Sequence, residues 1–228
     1  NSCSRCPTLV KQNLPLPPKV FLFLKGRGVM LKTPSEATRK VFLKFGYPED
    51  RVHTVHHGVP LKEGKTSDGG FILYIGSKVP IKGRHIAERL SREMKQYRFV
   101  IVGSETGRAV YGEPGYVSEE ELERLKRTCS LLLYPSVWIE PCGLVHLEVM
   151  RYKKVVVGFN VGAVPEYVRY TTVDSYEEMK LKVEEYMEVP KLREKHGLEN
   201  YKVLKERFTS EKMYEREVRF YRRVLNEI

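Results

Sequence analysis

The stretch Tyr134-Pro135-Ser136-Val137-Trp138-Ile139-Glu140-Pro141-Cys142-Gly143-Leu144-Val145-His146-Leu147-Glu148 sets two carboxylates around a helix start. Before it, the apolar run Leu131–Tyr134 reads as a buried strand; Pro and Ser then mark a turn, and a helical pattern begins near Gly143. Glu140 stands just ahead of that helix, and Glu148, eight residues on, rides on it. At about 1.5 Å per residue, Glu148 lies roughly 7 to 8 Å along the axis from the helix start. The first-turn amides of Gly143 and Leu144 have no intrahelical acceptor, so that end suits a phosphate. Upstream, Gly76-Ser77-Lys78-Val79-Pro80-Ile81-Lys82-Gly83 forms a strand-to-helix turn. A lysine held there, Lys82, would neutralise a diphosphate as a bond to it breaks. Two acceptors flanking anion-binding amides fit a long, polyhydroxylated, phosphorylated ligand, and a nucleotide sugar has that description. The plainer alternative is a strand-turn-helix of an ordinary α/β domain carrying two surface glutamates.

The pattern Pro-Ser-x-x-x-Glu-Pro-x-Gly-Leu-x-x-x-Glu, carried here by Pro135 to Glu148, resembles the signature of retaining, GT-B-fold glycosyltransferases of family 4. The resemblance runs from about Thr33 to Val168, with several motifs in the family's order. It implies that Glu140 touches hydroxyls of the transferred sugar and Glu148 the ribose. The Gly76–Gly83 turn is similar to the family's Gly-Arg…Lys-Gly loop, whose basic residues meet the donor diphosphate. Lys82 matches, Ser77 stands where the arginine is expected, and Lys78 is the nearby substitute. Gly115-Tyr116-Val117 resembles the short strand beside which the family binds the base, largely through backbone groups. Gly162 and Glu166 fall in a Gly-x-x-Pro-Glu turn that closes over the donor in family members, although Lys153 and Val155 replace the usual Gly and Pro nearby. Independently of the resemblance, Gly103, opening Gly103-Ser104-Glu105-Thr106-Gly107, permits close approach of a ligand to the backbone.

The expected catalytic pair is therefore Glu140 and Lys82. Expected donor contacts are Gly76, Ser77, Lys78, Gly103, Tyr116, Val117, Gly143, Leu144 and Glu148. His146 is expected to pack rather than react. No Asp-x-Asp carboxylate cluster calls for a metal, and no cofactor is implied. No residue reads as a dedicated general base, in keeping with a family in which the leaving phosphate takes the acceptor proton. The expected function is retaining glycosyl transfer, or the donor-binding half of such an enzyme. The alternative is a non-catalytic module that binds nucleotide or nucleic acid through a basic N-terminal face.

The elements that must position these residues alternate between strand and helix. Strands are expected at Arg51–Val55, Phe71–Ile75, Arg98–Val102, Leu131–Tyr134 and Val155–Gly158, and short ones at Val20–Leu24 and Val29–Leu31. Thr33-Pro34-Ser35-Glu36, Ser118-Glu119-Glu120-Glu121 and Asp174 with Glu177 read as helix starts, capped at Thr33, Ser118 and Asp174. The fold class is α/β, a doubly wound, Rossmann-like parallel sheet with a truncated N-terminal part and C-terminal helices. Its ligand should lie outside the carboxyl ends of the strands, where Gly76, Lys82, Gly103, Glu140 and Gly143 all fall. Residues 1–61 form an irregular arm and the remnant of an acceptor-side domain, 62–70 a linker, 71–190 the nucleotide-sugar domain, and 191–228 C-terminal helices. Only about sixty residues precede the hinge, where the family places a whole acceptor domain. A longer parent protein, a partner chain, or a drastically reduced enzyme would each account for that. In the last helix, Tyr214, Val218, Tyr221, Leu225 and Ile228 form an apolar stripe expected to face the core, or, without a first domain, a partner copy.

Composition agrees with a soluble protein: 30% charged, 41% hydrophobic, and no apolar run of membrane-spanning length. No secretory signal pattern is seen, and the location expected is cytoplasmic. The net charge is +11, and residues 1–69 hold twelve Lys or Arg against five Asp or Glu. That front section would suit an anionic membrane surface or an acidic acceptor, while no arginine-rich block points to nucleic acid. Cys3 and Cys6 lack a second pair to complete a zinc site, and four cysteines do not make a disulfide framework.

Overall fold

The computed structural model describes residues 18–62, 64–103, 115–168 and 170–226. Cys3, Cys6, the N-terminal arm to residue 17, Ser104–Gly107 and Ile228 lie outside them. The chain opens with helix α1 (Pro18–Gly26), strand β1 (Leu31–Thr33), helix α2 (Glu36–Lys44) and strand β2 (Val52–Thr54). The Val20–Leu24 run, expected as a strand, is thus helical. Five apolar residues do not set a period, and Pro18 suits a helix's first turn. The strands β1 and β2 pair in parallel, Thr33 opposite Thr54. That pairing draws Thr33 into the strand, so Ser35 caps α2 in its place, accepting from the Thr38 amide at 3.1 Å. Gly46, beyond the helix, takes the left-handed conformation expected of it, with φ +77°.

The second sheet contains β3 (Phe71–Ile75), β4 (Arg98–Val102), β5 (Leu131–Tyr134), β6 (Val155–Phe159) and a short β7 (Thr172–Val173). Their order is β4-β3-β5-β6-β7 and every neighbour is parallel. Between them run α3 (Arg84–Glu93), α4 (Glu119–Thr128), α5 (Leu144–Met150) and α6 (Val164–Tyr167). The chain ends in α7 (Tyr176–Glu188), α8 (Pro190–Arg207) and α9 (Ser210–Asn226). Ser118 caps α4 as expected, accepting from the Glu121 amide at 3.2 Å. The box before α7 is shifted by one residue: Ser175 caps it, and the Glu178 carboxylate accepts from the Asp174 amide.

Period-two alternation divides the core into two layers. Leu73, Leu132 and Val156 face Leu125, Leu147, Leu204 and Phe208 on one side. Ile72, Leu131, Leu133 and Val157 face Ala87, Leu90, Met179 and Val183 on the other. With both faces covered, the inner strands β3, β5 and β6 carry no charged residue, and each fully buried Leu or Val contributes about 1.5 to 3 kcal/mol. Residues 62 and 64–70 are exposed but pinned: Gly69 donates to Thr128 O at 2.7 Å, and Lys154 Nζ to Ser67 O at 2.7 Å.

After α8, Val59 and Thr209 form a parallel bridge, and α9 runs beside the first sheet. Glu217 accepts from Lys32 Nζ at 2.6 Å, and the Phe220 ring lies 5.8 Å from His53. The apolar stripe of this helix does not face the core. Tyr214, Tyr221 and Leu225 are each more than half exposed, and the contacts to the first sheet come from Glu217, Phe220 and the ring of Tyr221, 5.3 Å from Lys32 Nζ. No described helix is long and apolar enough to cross a membrane.

Candidate active site

The strand order makes β3 the point from which the chain winds first one way, to β4, and then the other, to β5. A crevice therefore opens at the carboxyl ends of β3 and β5. Two loops leave from there, and they are tied to each other. Val137 N donates to Ile81 O at 3.0 Å and Ser136 Oγ to the same carbonyl at 3.2 Å. The hydroxyl of Tyr74 donates to Lys82 O at 3.2 Å. Gly83 has φ +73°, and a Cβ there would sit 1.8 Å from Pro135 O, so only glycine lets the loops approach this closely.

This contact brings Lys82 to Glu140. One carboxylate oxygen, Glu140 Oε2, accepts from Lys82 Nζ at 2.9 Å, Trp138 Nε1 at 2.9 Å and Ser136 Oγ at 3.4 Å. Burial, and then the charge of Glu140, push the Tyr134 hydroxyl well above the usual phenol range. The ammonium of Lys82 also lies 5.0 Å from the centre of the Trp138 ring. Behind Glu140, Ala163 N donates to its carbonyl at 2.8 Å, and Gly162, at φ +56°, lies against its amide. The side chain of Glu140 is 5% exposed and that of Lys82 34%, so the carboxylate is fixed and the lysine is the movable partner.

Glu148 is held differently. Its carboxylate accepts from Lys126 Nζ on α4 at 2.6 Å; the lysine is buried and Glu148 is partly exposed. Gly143 precedes α5 without any side-chain cap, and Leu144 is exposed. His146 is wholly buried between the rings of Tyr134 and Tyr167, and burial lowers its pKa to about 3, consistent with a packing role.

The remaining predicted donor contacts gather at the same edge. Gly76 N donates to Val102 O, and Gly103, at φ +143°, lies so close that a Cβ would be 2.0 Å from Gly76 O. Gly103 N donates to Gly115 O at 3.0 Å, which places Tyr116 and Val117 next in line. Gly115-Tyr116-Val117 is not a strand; the Gly103–Gly115 backbone bond and the packing of Val117 on the core are among the contacts that hold it. Tyr116 is partly exposed, Ser77 O accepts from Tyr74 Oη at 3.4 Å, and Lys78 is exposed. Arg84, at the start of α3, was not anticipated. Its Nη1 donates to Gly103 O at 3.3 Å, which sets a largely buried guanidinium on this edge. Trp138, Ser136 and Lys126 were also missed. Their only sequence signal was proximity to the motif or a charge within a helix.

Glu166, expected in a turn that closes over the donor, is engaged by the segment that precedes the main sheet. Its carboxylate caps α2, accepting from the amides of Glu36 at 2.9 Å and Ala37 at 2.6 Å and bonding His56 Nε2 at 2.9 Å. Burial alone would raise its pKa, but the bonds from His56 and the two amides bring it below the usual carboxylate value. Burial raises the Cys142 thiol to about 11, despite a bond from Tyr167 Oη.

A model of the family described as glycosyl transferases group 1 matches residues 60–203. Among solved structures, the chain is similar to a glycosyltransferase from Rickettsia africae ESF-5, with 13% identity, 92% of this chain and 68% of that one covered, and a TM-score of 0.76. It is similar to Anabaena Alr3699/HepE, solved with UDP and glucose, at 18% identity, 90% and 67% coverage, and a TM-score of 0.73. It is also similar to S. aureus TarM, solved in a complex that includes UDP, at 17% identity, 88% and 45% coverage, and a TM-score of 0.71. The chain thus spans 45 to 68% of the length of these structures. At these identities the likeness concerns the fold, an α/β arrangement around a parallel sheet. A search of curated protein sequences finds no match.

Proposed function

The chain belongs to the group 1 glycosyl transferases, and from that premise we propose that it binds a nucleotide-diphosphate sugar and passes its hexosyl group to an acceptor hydroxyl with retention of configuration. The observation that carries this reading is the Lys82–Glu140 pair at the switch point of the sheet. Glu140 is buried, fixed by backbone and side-chain donors, and can orient sugar hydroxyls without moving. Lys82, the more exposed partner, can turn from Glu140 toward a diphosphate whose charge grows as the bond to the sugar breaks.

In that step the bond between the anomeric carbon and the terminal phosphate oxygen breaks. The acceptor oxygen bonds to the anomeric carbon on the same face, and its proton passes to the departing phosphate. Lys82 neutralises the leaving group, a contribution on the order of 100- to 1,000-fold in rate for one such donor. Glu148, steadied by Lys126, would accept from the ribose hydroxyls, and the backbone at Gly103, Tyr116 and Val117 would meet the base. Because Alr3699/HepE and TarM were solved with UDP, a uridine nucleotide is the first to test.

The test is calorimetric titration with UDP, GDP and ADP and their sugar conjugates on the wild type, Lys82→Ala and Glu148→Ala. The single tryptophan, Trp138, provides a parallel fluorescence readout within the site. Binding of one nucleotide, weakened by both substitutions and followed by sugar release to water or acceptor, is the expected result. Absence of nucleotide binding by the folded wild type would overturn the proposal. Binding without turnover would leave a nucleotide-recognition module.

A further inference from the structure

The amino-terminal edge of the main sheet carries a second concavity. Ser67 and Asp68 precede β3, Ser130 precedes β5, Lys153 and Lys154 precede β6, and Arg193 reaches in from α8. These residues line a cavity of about 390 Å³, within the ~300 to 1,000 Å³ range of small-molecule sites. Strands of five residues, about 17 Å long, separate this edge from the Lys82–Glu140 crevice.

The most informative wall is Lys154. Its side chain is buried, and among the described residues its ammonium donates a single hydrogen bond, to the Ser67 carbonyl at 2.7 Å. The neighbouring carboxylate is already engaged. Asp68 Oδ1 accepts from Ser130 Oγ and from Gly70 N at 3.1 Å, and Oδ2 takes the Arg193 guanidinium. A buried ammonium with N–H groups to spare is costly unless an acceptor reaches it. Burial accordingly lowers the pKa of Lys154, only partly offset by Asp68 and Glu194. Lys153, exposed and with its Nζ 5.5 Å from the Tyr201 ring, adds a second, movable cation in a conformation that glycine would adopt without strain. Its φ is +58°, and its carbonyl is packed so tightly that a Cβ on Gly197 would lie 2.2 Å away. Lys153, Lys154 and Arg193 against Asp68 and Glu194 leave the lining with an excess of one positive charge.

We infer that this cavity binds the phosphate group of a small phosphorylated metabolite, with the unused N–H groups of Lys154 donating to phosphate oxygens and Lys153 neutralising the second charge. The space beyond a phosphate ion accommodates a short polar carbon chain. The site is separate from the donor crevice and does not depend on the reading given to it.

Residue-resolved ¹H–¹⁵N NMR of the full chain, titrated with inorganic phosphate and with glycerol 3-phosphate, tests this. Saturable shifts at the amides of Ser67, Ser130 and Lys154 are expected, distinguishable from any shifts at Gly76 and Gly143. Lys154→Met should weaken them at least tenfold. Lys153→Gly removes a charge while relaxing the backbone, so it should weaken them severalfold with the melting temperature kept or raised. Shifts that are absent from the folded wild type, or unchanged in both variants, would overturn the site. Acetate producing the same shifts at the same concentration would overturn the assignment to phosphate.

Discussion

Glu140 and Glu148 lie eight residues apart, and the fold treats them in opposite ways. Glu140 sits in a turn where two loops and the Gly162 segment converge, and three side-chain donors meet one of its oxygens. Glu148 stands on a seven-residue helix, and its carboxylate accepts from Lys126 on a neighbouring helix. A carboxylate held from several directions is preorganised, so substrate binding costs little rearrangement there. One that is partly exposed and engaged from one side can change partners when a ligand arrives. Reacting atoms need the first arrangement, and a nucleotide that must come and go is served by the second.

Breaking the convergence should have the largest effect. Gly83→Ala adds a Cβ 1.8 Å from Pro135 O at a positive φ. A loss of about 3 kcal/mol or more in denaturant unfolding, with loss of nucleotide binding, is expected. Glu140→Gln keeps the shape but removes the charge that pairs with Lys82. If the proposed reaction holds, kcat should fall about 100-fold, on the order of 3 kcal/mol, in a chain whose circular dichroism is unchanged.

His146, on the helix between the two glutamates, gives a pH-dependent contrast. Its folded pKa, about 3, lies below the ordinary 6.5, so the unfolded chain binds the proton first as pH falls. Its contribution to stability is complete above pH 6.5 and is lost progressively as pH drops toward 3. Between pH 7.5 and pH 5 this amounts to about 2 kcal/mol. The wild type should lose that much more than His146→Leu over the same interval, as read from urea midpoints at the two pH values.

The smallest effect belongs to the looser glutamate. Lys126→Met releases Glu148 while filling most of the space of the lysine stem. KM for the donor should rise threefold to tenfold, about 1 kcal/mol, with kcat nearly unchanged, because ground state and transition state lose the contact equally. A matching fall in kcat would show instead that Glu148 is as tightly coupled to the reacting centre as Glu140.

Much of the fold was legible because apolar runs bounded by glycine or charge leave few options. Phe71–Ile75, Arg98–Val102 and Leu131–Tyr134 are strands at the expected residues. The two-residue β7 carried no such signal, and its pairing with β6 alone defines it. Local ambiguity was resolved elsewhere by contacts distant in sequence. Thr33 and Ser35 are equally good caps, and pairing with β2 decides between them. The apolar run in α1 fits strand or helix alike. The stripe on α9 has a helical period but remains largely exposed, because periodicity shows that a face exists and not what covers it.

By itself, then, the sequence determined the alternation of strand and helix, the parallel sheet, and the edge on which Lys82, Glu140 and Gly143 fall. Those follow from side-chain periodicity and turn chemistry, which act over a few residues. Only the tertiary structure decided that Lys82 meets Glu140, that Lys126 steadies Glu148, and that Glu166 caps α2. It alone brought Lys154, Ser67 and Arg193 around one cavity. Each of these pairings joins residues more than twenty positions apart, and their hydrogen bonds depend on how closely separate loops and helices approach. No local propensity encodes such distances; packing of the whole sheet and its helices sets them.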